Sequence, residues 1–65
     1  SANIKATGGA SKDISLYYQG SFLEGTSGVS DLSINNFSFD IAKTYILIVT
    51  NDLSLSKITI SLTGN

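Results

Sequence analysis

Apolar and polar residues alternate along most of this chain. Near its end Ile58, Ile60 and Leu62 alternate with Lys57, Thr59, Ser61 and Thr63, the period-two pattern of a strand with one face on a core and the other in water. Ile14, Leu16 and Tyr18 form the inner face of a second such strand, with Asp13, Ser15 and Tyr17 outside, and Ile4 and Ala6 mark a short opening strand. Leu32 and Ile34 alternate in one phase, while Phe37, Phe39 and Ile41 alternate in the other. The slip falls at Asn35 and Asn36 and predicts a β-bulge in preference to a tight turn. Tyr45, Ile46, Leu47, Ile48 and Val49 are apolar at every step, which predicts a strand in mid-sheet or one covered on both sides.

Turn signals separate these runs. Thr7, Gly8, Gly9 and Ala10 read as a strand end and a glycine turn, and Asn51 and Asp52, with the serines beyond, as the last connection. Between positions 19 and 30, Gly20, Gly25 and Gly28 predict a turn, a brief extended piece around Phe22 and Leu23, and a flexible loop. No window carries the i, i+3, i+4, i+7 spacing of an amphipathic helix. The expected fold is all-β: a small antiparallel β-sandwich, jelly-roll-like, of five to seven short strands.

Composition narrows what such a sandwich does. The 65 residues make one domain, and a chain of this size buries only about 60% of its unfolded surface. With no cysteine and no histidine, neither a disulfide nor a soft-ligand metal site is available to staple it. Neighbouring protein is the favoured source of further stability. A net charge of −1, four scattered lysines and no arginine argue against nucleic acid, and the longest apolar run is far too short to span a bilayer. Serine, threonine, asparagine and glycine fill 28 of the 65 positions, a balance closer to extracellular microbial β-proteins than to cytosolic enzymes. That composition makes an extracellular or cell-surface location the expected one, and the chain opens on Ser1, as expected of a processed product or a piece of a larger secreted protein.

Three segments carry a family resemblance. Thr7-Gly8-Gly9 followed by Lys12-Asp13-Ile14-Ser15-Leu16-Tyr17 resembles the Gly-Gly … Asp-x-Asp-Leu-Tyr signature of bacterial pre-peptidase C-terminal domains. Ala42-Lys43-Thr44-Tyr45-Ile46-Leu47-Ile48-Val49 is similar to that family's Ala-Gly-Thr-Tyr-Tyr-x-x-Val segment, and the threonine-rich ending from Lys57 to Thr63 to its closing strand. The resemblance covers positions 4–63. It implies a jelly-roll-like sandwich appended to secreted proteases and other exported enzymes, some relatives binding calcium and related domains binding collagen. Ser15 stands where the family has a second aspartate, and Lys43 where it has a turn glycine. A strand ahead of Ile4 is missing from the pattern, which predicts a sandwich lacking one strand at an edge and therefore open to a partner strand.

The chemistry that remains is that of contact. Without histidine or cysteine, Ser/His and Cys/His catalysis are excluded on inventory, and the five carboxylates lie at strand ends, loops or outward positions. No catalytic residue and no cofactor is assigned. Asp13 with Asp31 or Asp40 is the weak candidate for calcium, which takes six to eight oxygens; solvated carboxylates are the better reading. Tyr17 and Ser15 on one strand, with Thr59 and Ser61 in a hydroxyl row on another, are the candidate ligand-binding residues. Asn36-Phe37-Ser38 matches the N-glycosylation pattern, a match common by chance in so serine-rich a chain. Two functions compete. One is a non-catalytic accessory module of a secreted protein, contacting a protein or polysaccharide through an exposed sheet face. The other is a structural subunit of an extracellular filament or matrix, assembling with copies of itself or another chain by strand complementation.

Overall fold

The computed structural model describes residues 1–8, 11–51 and 58–64. Within them the chain forms six strands and no helix: β1 (Ala2–Gly8), β2 (Lys12–Tyr18), β3 (Ser21–Gly28), β4 (Leu32–Phe37), β5 (Ile46–Asn51) and β6 (Ile58–Gly64). They build two antiparallel three-stranded sheets, in the orders β4-β1-β6 and β3-β2-β5. Only β2 and β3 are sequential neighbours in a sheet; every other connection crosses from one sheet to the other. The chain is the small antiparallel β-sandwich that its alternation predicts. The glycine turn at Gly9 and Ala10, the connection from Asp52 onward and Lys57 lie outside the described residues.

The core comes from the inward positions of the two central strands and of β4. Ile4, Ala6, Ile14, Leu16, Leu32 and Ile34 are buried, with Phe37, Phe39, Tyr45, Leu47 and Ile58 packed part-buried against them. Register explains the set. Ile4 faces Ile34 and Ala6 faces Leu32 across β1 and β4, so one side of that sheet is continuously apolar. Lys12 shares the inward phase of β2 and is only 3% exposed; its aliphatic stem lies inside while Nζ donates to the Val29 carbonyl oxygen at 3.4 Å.

Two local devices shape the strands. The β2–β3 hairpin turns through Gln19 (φ 49°) and Gly20 (φ 81°), the two positive angles of a type I′ turn, which matches strand twist and favours glycine. The slip at Asn35 and Asn36 is a bulge, as expected. Ala2 pairs with Phe37 but Ile4 with Ile34, and Asn36 takes a φ of 57° with its N–H donated to Asn3 Oδ1 at 2.7 Å.

Four expectations are corrected. The stretch from 21 to 28 is a full strand rather than a brief piece and a loop, because it pairs with β2 along its whole length. Phe39 and Ile41 do not extend β4. A turn at positions 40–43 closes first, with Lys43 N–H donating to the Asp40 carbonyl (3.0 Å) and Ala42 N–H to Asp40 Oδ1 (2.9 Å), leaving Ile41 fully exposed at the tip. β5 is neither mid-sheet nor covered on both sides: it is an edge strand, with Ile46, Ile48 and Val49 exposed. Ile60 and Leu62 do face inward beside Ala6 and Ile4, yet both are exposed, because β6 is also an edge strand and no other strand covers it among the described residues.

Candidate functional site

The register of β2 with its two neighbours defines the outer face of the β3-β2-β5 sheet. Tyr17 lies beside Phe22 and Ile46, Ser15 beside Gly25 and Ile48, and Asp13 beside Ser27 and Thr50. One end of this face is therefore aromatic and aliphatic, and the other is polar. The Tyr17 and Phe22 rings meet edge to face, 5.7 Å apart at 75°, a favoured aromatic geometry. Phe22 remains 59% exposed and Ile46 58%. At the polar end Ser11, Lys12, Asp13, Ser27, Thr50 and Asn51 line a cleft of 360 Å³. Between the two ends, Ser15 Oγ donates to Asp13 Oδ1 at 2.9 Å, holding the carboxylate along the strand.

A bulge makes this face. The register jumps between the Leu16–Glu24 and Tyr17–Phe22 pairs, so Leu23 is the extra residue. Phe22 and Gly25 are three positions apart and would face opposite ways on a regular strand; the inserted residue puts them on the same side. The ring then lies against the glycine. A Cβ at Gly25 would come within 2.9 Å of the Ile14 carbonyl oxygen, 3.1 Å of Phe22 Cε1 and 3.2 Å of Ser15 Oγ. Gly25→Ala is accordingly expected to destabilise the fold. Overpacking of about 1–3 kcal/mol outweighs the roughly 0.4–1 kcal/mol recovered from a less flexible unfolded chain. Urea denaturation checks this, and a midpoint equal to or above wild type would show that no such contact exists.

The four contact residues read from the sequence do not form one site. Tyr17 and Ser15 share the outer face just described, but Thr59 and Ser61 lie on the outer face of the other sheet, paired with Thr7 and Lys5. The core separates the two faces by about 10 Å. The hydroxyl row is exposed and polar, flanked by Asn3, Lys5 and Ser33. The three aspartates do not converge either: among the described residues no three acidic side chains group where they could hold a metal ion. Asp13 is on β2, Asp31 in the β3–β4 connection and Asp40 in the turn after β4, where its carboxylate accepts from Ala42.

Sequence reasoning missed Phe22, Ile46 and Ile48. Phe22 was hidden because the bulge that turns it outward has no signature in alternation. Ile46 and Ile48 did carry a signal, the excess of apolar residues on the outward phase of positions 45–49, but it was assigned to burial.

A second feature lies at the flank where, among the described residues, β5 and β6 are the outermost strands of their sheets. Ile4, Leu16, Phe39, Tyr45, Leu47, Ile60 and Leu62 line an apolar groove of 320 Å³ between them. Two of its lining residues, Phe39 and Tyr45, belong to an aromatic cluster: Tyr45 contacts Phe39 at 5.0 Å, Tyr18 at 5.5 Å and Phe37 at 6.0 Å between ring centroids. Lys43 Nζ sits 4.8 Å over the Tyr18 ring, a cation–π contact. Among the described residues no helix is long and apolar enough to cross a membrane. No family model, no curated protein and no solved structure matches this chain.

Proposed function

We propose that this chain is a non-catalytic binding module of an extracellular or cell-surface protein, engaging an extended protein or polysaccharide with the outer face of the β3-β2-β5 sheet. The observation that carries the reading is the exposed Phe22 ring packed edge to face on half-buried Tyr17, continuous with Ile46 and Ile48 and running into a polar cleft. Aromatic rings give rigid contact area at low entropic cost, and the hydroxyls and carboxylate beyond them supply hydrogen bonds that fix a ligand's direction. The resemblance to pre-peptidase C-terminal domains supports the same reading.

Co-sedimentation with insoluble cellulose, chitin and fibrillar collagen tests it. The wild-type chain is expected to pellet with at least one polymer. The Tyr17→Ala/Phe22→Ala variant, with an unchanged far-UV circular dichroism spectrum, is expected to lose about tenfold or more of that affinity. Equal retention of the two proteins would sink the reading.

A second reading is favoured by the apolar groove between β5 and β6: a structural subunit that completes its sandwich with a strand from another chain. An edge strand with unpaired backbone groups is a template for such addition.

A further inference from the structure

The four sheet edges are not equivalent. β3 carries the Leu23 bulge and places Glu24 on the same face as inward Leu16. β4 carries the Asn35–Asn36 bulge, and Asn36 leaves the extended conformation. These two edges also lie against one another at the closed flank of the sandwich. Bulges and inward-facing charges are the devices by which sheets block unwanted strand addition. β5 and β6 have neither: both keep unbroken register with their neighbours, and Ile46–Asn51 and Ile58–Gly64 contain no charged residue and no proline. Among the described residues β5 pairs only with β2, and β6 only with β1.

From this asymmetry we infer that the β5 edge is a self-association edge, taking β5 of a second copy of this chain antiparallel to itself. The inference rests on the second reading above and names its partner. A twofold pair centred on Ile48 sets Ile48 against the copy's Ile48 on the outer face and Leu47 against the copy's Val49 on the inner face. Side-chain phase is kept, so apolar meets apolar on both sides. A twofold axis places each residue near its own counterpart, so any charge on this edge would repel itself across the axis. The uncharged edge suits a copy of itself. The same operation turns the two apolar grooves toward each other, covering the exposed Ile60 and Leu62.

The size of the contact sets its strength. Two edges about 20 Å long and about 10 Å apart present roughly 200 Å² per partner, or roughly 400 Å² in total, well below the total of about 1,200 Å² typical of a stable complex. The pair is therefore a weak one, populated only at high protein concentration.

Sedimentation velocity from roughly 20 µM to 1 mM, with amide hydrogen exchange at both ends of that range, tests the inference. The sedimentation coefficient is expected to rise from monomer toward dimer. Exchange at the free-edge amides of β5 is expected to slow severalfold while β3 is unchanged. Ile48→Lys, at an exposed outward position, is expected to stay monomeric throughout with an unaltered circular dichroism spectrum. Should that variant misfold, the exchange pattern of the wild-type chain still decides, because protection gained at β5 and not at β3 separates the two edges. Association with new protection at β3 or β4 would overturn the assignment of the edge while leaving self-assembly standing. A monomer at the top concentration would remove both.

Discussion

Ile14→Ala is expected to leave this chain largely unfolded or close to its midpoint at room temperature. Ile14 is fully buried on the central strand of its sheet, among Ile4, Ala6, Leu16, Leu32 and Ile34. Truncating a buried isoleucine to alanine costs about 2–5 kcal/mol, the loss of burial plus the cavity left behind. A domain of this length has a total stability of roughly 3–10 kcal/mol, so one side chain accounts for a large share of it. With about 4–8 °C of melting temperature per kcal/mol in small domains, the fall should exceed roughly 10 °C. Thermal unfolding followed by far-UV circular dichroism reads this directly. Ile14→Val, which keeps most of the volume, should cost only about 0.5–1.5 kcal/mol. A negligible shift for the alanine variant would mean that the two sheets are not packed across this position.

Tyr45→Ala is the next largest expected loss, about 2–4 kcal/mol, and it acts at the opposite boundary of the core. Tyr45 is the hub of the aromatic cluster, touching the rings of Tyr18, Phe37 and Phe39, and its hydroxyl accepts the backbone N–H of Asp40 at 3.1 Å. Removing the ring dissolves three aromatic contacts, widens the groove and releases the turn that leads into β5. Tyr45→Phe separates the parts: the rings remain, one exposed hydrogen bond is lost, and the cost should be no more than about 0.5–1.5 kcal/mol. Equal losses for the two variants would place the energy in the hydroxyl and contradict the packing described for this cluster. Chemical denaturation of both variants, with the unfolding slope compared against wild type, makes the distinction.

How much of this was legible from the residues differs by element. The alternation at Ile4 and Ala6, at Ile14 and Leu16, and at Leu32 and Ile34 assigned the inward face of three strands correctly, and the phase slip at Asn35 and Asn36 marked a real bulge. Burial was overestimated at Val49, Ile60 and Leu62, whose inward phase was right but whose sheets end beside them. Ile41 was misassigned for a different reason: an aspartate-led turn, with two hydrogen bonds to Asp40, interrupts the alternation that Phe37 and Phe39 begin. For the candidate site, Tyr17 and Ser15 were placed on an outer face from phase alone. Their separation from Thr59 and Ser61 was not legible, because two wet faces on opposite sides of a sandwich share the same polar pattern.

Alternation and inventory alone fixed that this chain is built of strands, which side of β1, β2 and β4 meets the core, and that catalysis by histidine or cysteine is unavailable. Those follow from the period of two and from residue inventory, both of which are local. It took the three-dimensional arrangement to show that, among the described residues, β5 and β6 are edges with an apolar groove between them, and that a bulge at Leu23 turns Phe22 onto the face of Tyr17. The period of a strand records the direction of its side chains, up or down from the sheet. It carries nothing about the perpendicular direction, in which backbone hydrogen bonds choose neighbours, and there the order of strands separates a covered isoleucine from an exposed one.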